Sequence, residues 1–127
     1  FLDAAGATVP KEMQGVSLKP LLEGKTPKNW RREMYYRYWM HLGGGHDVTA
    51  HYGIRTHRYK LIYYYGKALG ASGAVDKTTP PEWEFFDLQK DPREMKNRYN
   101  DPGSQKIIAQ LKQRLSRLQA YYKDTPA

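Results

Sequence analysis

The four histidines have the most versatile side-chain chemistry in this sequence of 127 residues, which contains no cysteine. They are His41, His46, His51 and His57, separated by five, five and six residues. These separations do not form the zinc-binding patterns H-x3–5-H or H-E-x-x-H on one helix, and thiolate ligands are ruled out. The sequence therefore predicts neither a metal site nor a cofactor site within this chain.

Other catalytic groupings are missing from the sequence. The serines stand outside a G-x-S-x-G context, and there is neither a P-loop nor a G-x-G-x-x-G pattern. A run of five carboxylates lies between residues 82 and 94, where we expect them to cap turns and to face water. We therefore predict no catalytic residue in this chain.

A glycine-rich loop brings three of the histidines close together in sequence. Glycines occupy positions 43–45, and His41, His46 and His51 flank them. Loops held by a rigid sheet concentrate binding residues, and a histidine can donate a hydrogen bond to a sugar hydroxyl or an anionic oxygen. Two interpretations stay open at this point, a binding loop or surface histidines without a partner.

The positive charge is uneven along the chain, whose net charge is +8. Residues 28–66 carry seven Lys and Arg against two Asp and Glu, interleaved with aromatic residues. Such a surface attracts polymers of phosphate, sulfate or carboxylate groups, although a solvated cationic face is the alternative. Nucleic acid is disfavoured because the aromatic signature of RNA-binding sheets is absent. No apolar run approaches the ~18 residues of a membrane span.

The elements that must position these residues follow from the residue pattern. Aromatic and β-branched residues predict strands, and apolar residues at three-to-four spacing from Ile107 to Tyr122 predict an amphipathic helix. The predicted strands are 33–40, 52–56, 59–65 and 83–88, with a long loop over 66–81. The predicted fold class is therefore α+β, a four-stranded antiparallel sheet with one long C-terminal amphipathic helix packed on one face.

Two further segments carry local signals. Phe1 to Gly6 is typical of the last turn of a helix, with Gly6 at the C-cap, and its abrupt start suggests a piece of a larger protein. We interpret residues 1–27 as the end of a preceding core-domain helix plus a connector, and 28–127 as a subdomain. Asp91 followed by Pro and Glu has a capping signature that predicts a single helical turn.

Several segments together resemble the C-terminal subdomain of type I sulfatases, of the bacterial kind that acts on glycans, near N-acetylglucosamine-6-sulfatases and arylsulfatases. The segments are Leu2-Asp-Ala-Ala-Gly6, Met13-Gln-Gly-Val-Ser-Leu-Lys-Pro-Leu-Leu-Glu-Gly24, Trp30-Arg31, Tyr35-Tyr36, His51-Tyr-Gly-Ile-Arg-Thr56, Arg58-Tyr-Lys-Leu-Ile62, Trp83-Glu-Phe-Phe-Asp-Leu88 and Lys90-Asp-Pro-Arg-Glu-Met-Lys-Asn97. Each pattern alone is weak. The combination is fairly specific because the segments cover nearly the whole chain in order.

The resemblance implies an enzyme in two parts. A large α/β core would carry Ca²⁺ and a formylglycine made from Cys or Ser in the motif C/S-x-P-x-R, which this chain lacks. The cofactors would therefore belong to a core outside these 127 residues, and this chain alone would not hydrolyse sulfate esters. The C-terminal part would pack on its own N-terminal core and lend residues to the substrate rim. The resemblance also suggests export to the periplasm or the cell exterior.

The candidate substrate-binding residues are His51 first, then His46, both as hydrogen-bond donors to a sulfated saccharide. Arg55 is the third candidate, with a structural bridge to the core as its alternative role. We expect Trp39 and Tyr52 to be core residues rather than a sugar platform, because strands use aromatic side chains for packing. The alternative functions are a free-standing basic module that binds sulfated glycan or nucleic acid, and a fragment without function.

Overall fold

The computed structural model describes residues 1–124. Contacts between Cα atoms divide the chain into two compact units, Phe1–Arg31 and Arg32–Ala127. Each unit is described by itself below. The interpretation of residues 1–27 as the end of a core-domain helix with its connector stays a prediction.

The first unit contains a turn that ends at a glycine and one short helix. The backbone N–H of Ala7 donates to the carbonyl of Leu2 (2.9 Å) across Gly6, whose φ is +72°. This is the glycine-terminated turn that the sequence predicted. Helix α1 spans Lys19–Leu22, and the hydroxyl of Ser17 accepts a hydrogen bond from the backbone N–H of its first residue (3.2 Å).

The second unit is built on an antiparallel sheet, which has four strands in the order β1-β2-β3-β4 within residues 32–124. The strands are β1 Glu33–Tyr38, β2 His51–Thr56, β3 Tyr59–Tyr64 and β4 Glu82–Asp87. Strand β1 ends two residues before its predicted end, because the backbone turns where the His41 N–H donates to the carbonyl of Trp39 (2.8 Å). The other strands begin and end within one residue of the prediction.

A long helix covers one face of this sheet, as predicted. A 3-10 turn over Pro102–Ser104 leads into helix α2, Gln105–Tyr122. The three-to-four spacing of its apolar residues places them on one face, and each buried Leu or Ile stabilises the fold by about 1.5–3 kcal/mol. The buried core consists of Ala50, Tyr52, Ile54, Leu61, Tyr65, Phe85, Ile108, Leu111 and Leu115. The α+β fold class is therefore confirmed.

The C-terminal end of α2 is tied to strand β1. Lys123 adopts a left-handed conformation (φ +55°) that ends the helix. The next residue, Asp124, accepts a hydrogen bond from Arg37 (2.6 Å) and another from the hydroxyl of Tyr35. The side chain of Arg37 is only 5% exposed, so its charge is balanced inside the fold by that carboxylate.

The helical turn predicted after Asp91 is wrong. Glu94 has a φ of +55°, which a right-handed helix cannot contain, and its carboxylate forms an ion pair with Lys60 of β3 (2.6 Å). The Asp91 carboxylate instead accepts hydrogen bonds from the backbone N–H groups of Met95 and Lys96, which lower the pKa of this carboxyl. The capping residue is therefore used in a turn rather than in a helix.

The outer edge of β4 is covered by the chain that follows it. The side-chain oxygen of Asn97 accepts the Phe85 N–H (3.1 Å), and its amide nitrogen donates to the carbonyl of Trp83 (3.0 Å). The backbone N–H of Arg98 donates to the carbonyl of Phe85 (2.9 Å). One amide side chain and one backbone group thus satisfy three edge groups of β4.

Candidate functional site

The two long loops of the second unit leave the same end of the sheet. One connects β1 to β2 and the other connects β3 to β4, so an antiparallel meander places them side by side. They are joined by a backbone hydrogen bond from the Val75 N–H to the carbonyl of His41 (2.8 Å). The segment 66–81, predicted as a loop, contains no helix or strand.

His41 is a buried structural residue rather than an exposed part of the binding loop. Its side chain is completely buried, and Nδ1 accepts the backbone N–H of Ala50 (3.0 Å). Nε2 lies 2.6 Å from the carbonyl oxygen of Lys77. Because a carbonyl can only accept, Nε2 carries the proton and Nδ1 has none. The ring is therefore held as one neutral tautomer between the two loops.

The glycines of the loop are explained by close packing as well as by flexibility. A Cβ atom on Gly43 would lie 2.0 Å from the carbonyl oxygen of Gly73, so the two loops touch backbone to backbone. Gly73 has a φ of +80°, and a Cβ there would lie 2.9 Å from the methyl group of Met40. The sequence showed a glycine cluster, but the partner 30 residues away gave no local signal.

His51, the first candidate, begins β2 on the sheet face opposite helix α2. Its ring packs among three tyrosines, with centroid distances of 5.8 Å to Tyr36, 5.3 Å to Tyr38 and 4.9 Å to Tyr64. Its Nδ1–H donates to the carbonyl of Thr49 (2.8 Å). The neutral ring therefore offers Nε2 as an acceptor, whereas the sequence analysis assigned it as a donor; only the protonated ring would donate from Nε2.

The tyrosines around His51 form a partly buried aromatic patch, defined here as Tyr36, Tyr38, His51 and Tyr64. The hydroxyl of Tyr64 donates to the carboxylate of Glu84 on β4 (2.9 Å). Burial first, and then nearby carboxylates, raises the pKa values of Tyr36 and Tyr64. The sequence predicted strands here but gave no means of seeing which tyrosines meet the histidine.

The other two candidates lie apart from the aromatic patch. His46 is exposed on the glycine-rich loop, and its ring lies over Gly44, where an added Cβ would be 3.2 Å from the His46 Cδ2. Arg55 is exposed on the same face as His51 but four residues along β2, which is about 13 Å at ~3.3 Å per residue. Among residues 1–124, no hydrogen bond or ion pair is formed by the Arg55 side chain.

The two aromatic expectations have opposite outcomes. Tyr52 is 7% exposed and belongs to the core, as predicted. Trp39 is 46% exposed, so the expectation of a core residue is wrong. The guanidinium of Arg37 lies 3.7 Å from the centre of the Trp39 ring, which follows the end of β1 instead of continuing the strand. Contact with a buried cation thus positions an indole that remains open to solvent.

A polar pocket of about 530 Å³ lies between the β2–β3 turn and the start of α2. Its cations are largely balanced inside the protein, because Arg58 binds both carboxylate oxygens of Asp87 (3.0 and 2.8 Å). Arg98 likewise pairs with Asp101 (2.9 Å). Lys90, the third cation of the lining, has no ion pair among the described residues, so the pocket keeps one unpaired positive charge.

Residues 1–124 contain no group of three or more His, Asp or Glu side chains placed to hold a metal ion. No helix in this part of the chain is long and apolar enough to cross a membrane.

The family described as "N-sulphoglucosamine sulphohydrolase, C-terminal" matches residues 1–121. The chain belongs to this family. The resemblance inferred from the ordered motifs is thereby confirmed, and the chain is a sulfatase C-terminal domain. The match extends over both compact units and nearly all of helix α2.

Two curated proteins of Bacteroides thetaiotaomicron are similar to this sulfatase domain. An N-acetylglucosamine-6-O-sulfatase is 44% identical over 126 residues, which is 98% of this chain and 20% of that protein. A Delta 4,5-hexuronate-2-O-sulfatase is 33% identical over 108 residues, which is 85% of this chain and 19% of that protein. The chain thus spans about a fifth of the length of these relatives.

Solved structures share the fold of the sulfatase domain. One, described as a complex with its substrate D-glucosamine-2-N,6-O-disulfate, has a TM-score of 0.80 and 42% identity, covering 96% of this chain and 22% of that chain. A 2-O GAG sulfatase has a TM-score of 0.70 and 30% identity, covering 97% and 23%. A phosphonate monoester hydrolase from Silicibacter pomeroyi, with a TM-score of 0.68 and 22% identity, shares the fold.

Proposed function

We propose that this chain is the C-terminal part of a sulfatase that hydrolyses sulfate esters of glucosamine-containing glycans. The observation that carries the proposal is the 44% identity to an N-acetylglucosamine-6-O-sulfatase over 98% of the chain. The fold shared with a glucosamine disulfate complex supports the same substrate class. The domain would act together with its own N-terminal catalytic core.

The hydrolytic chemistry belongs to that core in this proposal. The sequence of 127 residues lacks the motif C/S-x-P-x-R, and the described residues lack a set of metal ligands. On the family resemblance, formylglycine would supply the nucleophile for sulfate ester cleavage and Ca²⁺ would accompany it, both within the core. Export to the periplasm or the cell exterior stays a prediction from the family resemblance.

The domain's own contribution would be to bind and orient the sugar. His51 would accept a hydrogen bond from a sugar hydroxyl at Nε2, because Nδ1–H is already bound to Thr49. His46, exposed on the glycine-rich loop, would contact the same ligand from the side. Arg55 has two roles open to it, a contact to a more distant sulfate or a bridge to the core.

A free-standing polyanion module fits the contacts less well. Residues 28–66 carry the excess of positive charge, yet three of their cations are already paired, Arg37 with Asp124, Arg58 with Asp87 and Lys60 with Glu94. Pairing reduces the field that would attract a polymer of anions. We therefore favour the sulfatase over the binding module.

The test uses the full-length enzyme and a set of sulfated monosaccharides. We expect sulfate release from a 6-O-sulfated glucosamine derivative, and His51→Ala should raise KM about fivefold, which corresponds to one lost hydrogen bond of ~1 kcal/mol. The matched control is His57→Ala, since His57 is exposed at the opposite end of the sheet. Full-length enzyme that releases no sulfate would overturn the proposed function. An unchanged KM in His51→Ala would remove His51 from the site.

A further inference from the structure

We propose that His41 is the positioning residue of the substrate rim. It joins the loop before β2 to the loop before β4, and thereby fixes the direction in which His51 and His46 face the ligand. The inference rests on the proposed function for the identity of that ligand. Its structural part, the joining of the two loops by one buried ring, stands on the contacts within the second unit.

The first support is the position of the residue that His41 holds. Ala50 is completely buried and directly precedes His51. Its N–H donates to Nδ1 of His41, and its carbonyl accepts the N–H of Tyr65 (3.1 Å) at the end of β3. Ala50 is thus fixed on both sides. The backbone that aims the His51 ring cannot turn without breaking the contact to His41.

The second support is that His41 reaches the other loop through two separate groups. Its ring Nε2–H donates to the carbonyl of Lys77 (2.6 Å), and its backbone carbonyl accepts the N–H of Val75 (2.8 Å). The close approach of Gly43 to Gly73 brings the same two loops together at a third point. Movement of the 66–79 segment would therefore be transmitted to the loop that carries His46.

Histidine is the residue type that this position requires. A neutral imidazole presents one acceptor and one donor on opposite edges of a rigid ring, and both are used here. Asparagine can place an oxygen near the Nδ1 position but has no donor that reaches Nε2. Glutamine can place a donor near the Nε2 position but not an acceptor near Nδ1. Each substitution therefore removes a different one of the two ring hydrogen bonds, the one to Lys77 in His41→Asn and the one to Ala50 in His41→Gln.

The experiment measures steady-state kinetics and amide hydrogen exchange on full-length enzyme carrying His41→Asn or His41→Gln. We expect KM for a sulfated glucosamine to rise about tenfold in His41→Gln, which frees Ala50, and less in His41→Asn, with kcat within about twofold. Exchange in the 66–79 segment should show the reverse order, faster in His41→Asn, which frees Lys77. His57→Asn is the control and should change neither quantity.

The two variants are expected to rank in opposite order, with the larger rise in KM in His41→Gln and the faster exchange of 66–79 in His41→Asn. This opposite ranking distinguishes positioning from general loss of structure. A purely structural role would accelerate exchange throughout β2 and β3 and would lower kcat and the amount of active enzyme together. Unchanged KM and unchanged exchange in both His41 variants would overturn the inference, and so would equal effects in His57→Asn. If the parent enzyme releases no sulfate, the proposed function fails. The exchange pattern alone then supports or overturns the connection of the two loops through His41.

Discussion

Gly43→Ala tests the backbone contact between the two loops. The φ of Gly43 lies outside the left-handed region, so alanine is compatible with its backbone. Alanine would even favour the folded state by about 0.4–1 kcal/mol, because it restricts the unfolded chain. The contact with Gly73 alone opposes the substitution, and its strength therefore decides the sign of the effect.

The magnitude follows from the distances. The new Cβ would lie 2.0 Å from the Gly73 oxygen, against 3.4 Å for ordinary contact, so the loops must separate by about 1.4 Å. That movement breaks the hydrogen bond that the Val75 N–H donates to the His41 carbonyl (2.8 Å) and the one that the His41 ring donates to the carbonyl of Lys77 (2.6 Å). Two lost bonds with buried groups left unpaired cost about 3 kcal/mol, which leaves a net loss of about 2–3 kcal/mol once the gain from alanine is subtracted.

The assay is exchange of the Val75 amide, together with urea denaturation of the same protein. A net loss of about 2–3 kcal/mol accelerates exchange at Val75 by roughly 30-fold to 150-fold. Gly103→Ala is the control, because a Cβ there meets nothing within 4 Å and its φ is not positive. If Gly43→Ala matches Gly103→Ala in both measurements, the loops are not in contact and the reasoning is refuted.

Three further predictions concern the core and the titrating groups. Leu111→Ala should lower the free energy of unfolding by about 2–5 kcal/mol, because Leu111 is completely buried, whereas exposed Gln110→Ala should change the urea midpoint little. Hydrogen bonds from Arg58 lower the pKa of Asp87, so the contribution of Asp87 to the free energy of unfolding is full above about pH 4 and is lost as the pH falls toward the native pKa. Asp87→Asn should therefore reduce the loss of stability that urea denaturation measures on acidification, and an unchanged loss would contradict this. Burial raises the pKa of Tyr64, so the contribution of Tyr64 to the free energy of unfolding is full below about pH 10 and is lost as the pH rises toward the pKa of the folded state. Ultraviolet titration should therefore find tyrosines that ionise late, and Tyr64→Phe should remove one.

The fold could be predicted because its signals are local. Alternating aromatic residues defined the strands within two residues at their ends, and the spacing from Ile107 to Tyr122 defined the helix. The turn at Asp91 could not be predicted, because Glu94 takes its left-handed conformation beside Lys60, a residue distant in sequence. A capping pattern reports only the local preference of a segment. Here Glu94 adopts a left-handed conformation and pairs with Lys60, a contact that the local pattern does not contain.

The candidate site was only partly accessible from the sequence. The pattern around the glycines correctly indicated a loop rich in histidine, but it could not rank the histidines by burial. His41 is held by backbone groups of Ala50 and Lys77, and backbone groups carry no sequence signature. Trp39 resembled a strand residue until the end of β1 placed it beyond the sheet. Both errors concern what lies next to a side chain rather than its type.

The covered edge of β4 has a consequence for self-association. Asn97 and Arg98 occupy backbone groups that another strand would otherwise pair with, whereas β1 forms the opposite border of the sheet. Two copies joined through β1 would form a continuous sheet with β4 at both ends, and neither end would accept a third copy. Growth by strand addition would stop at a pair, so this sheet is poorly suited to start a fibril.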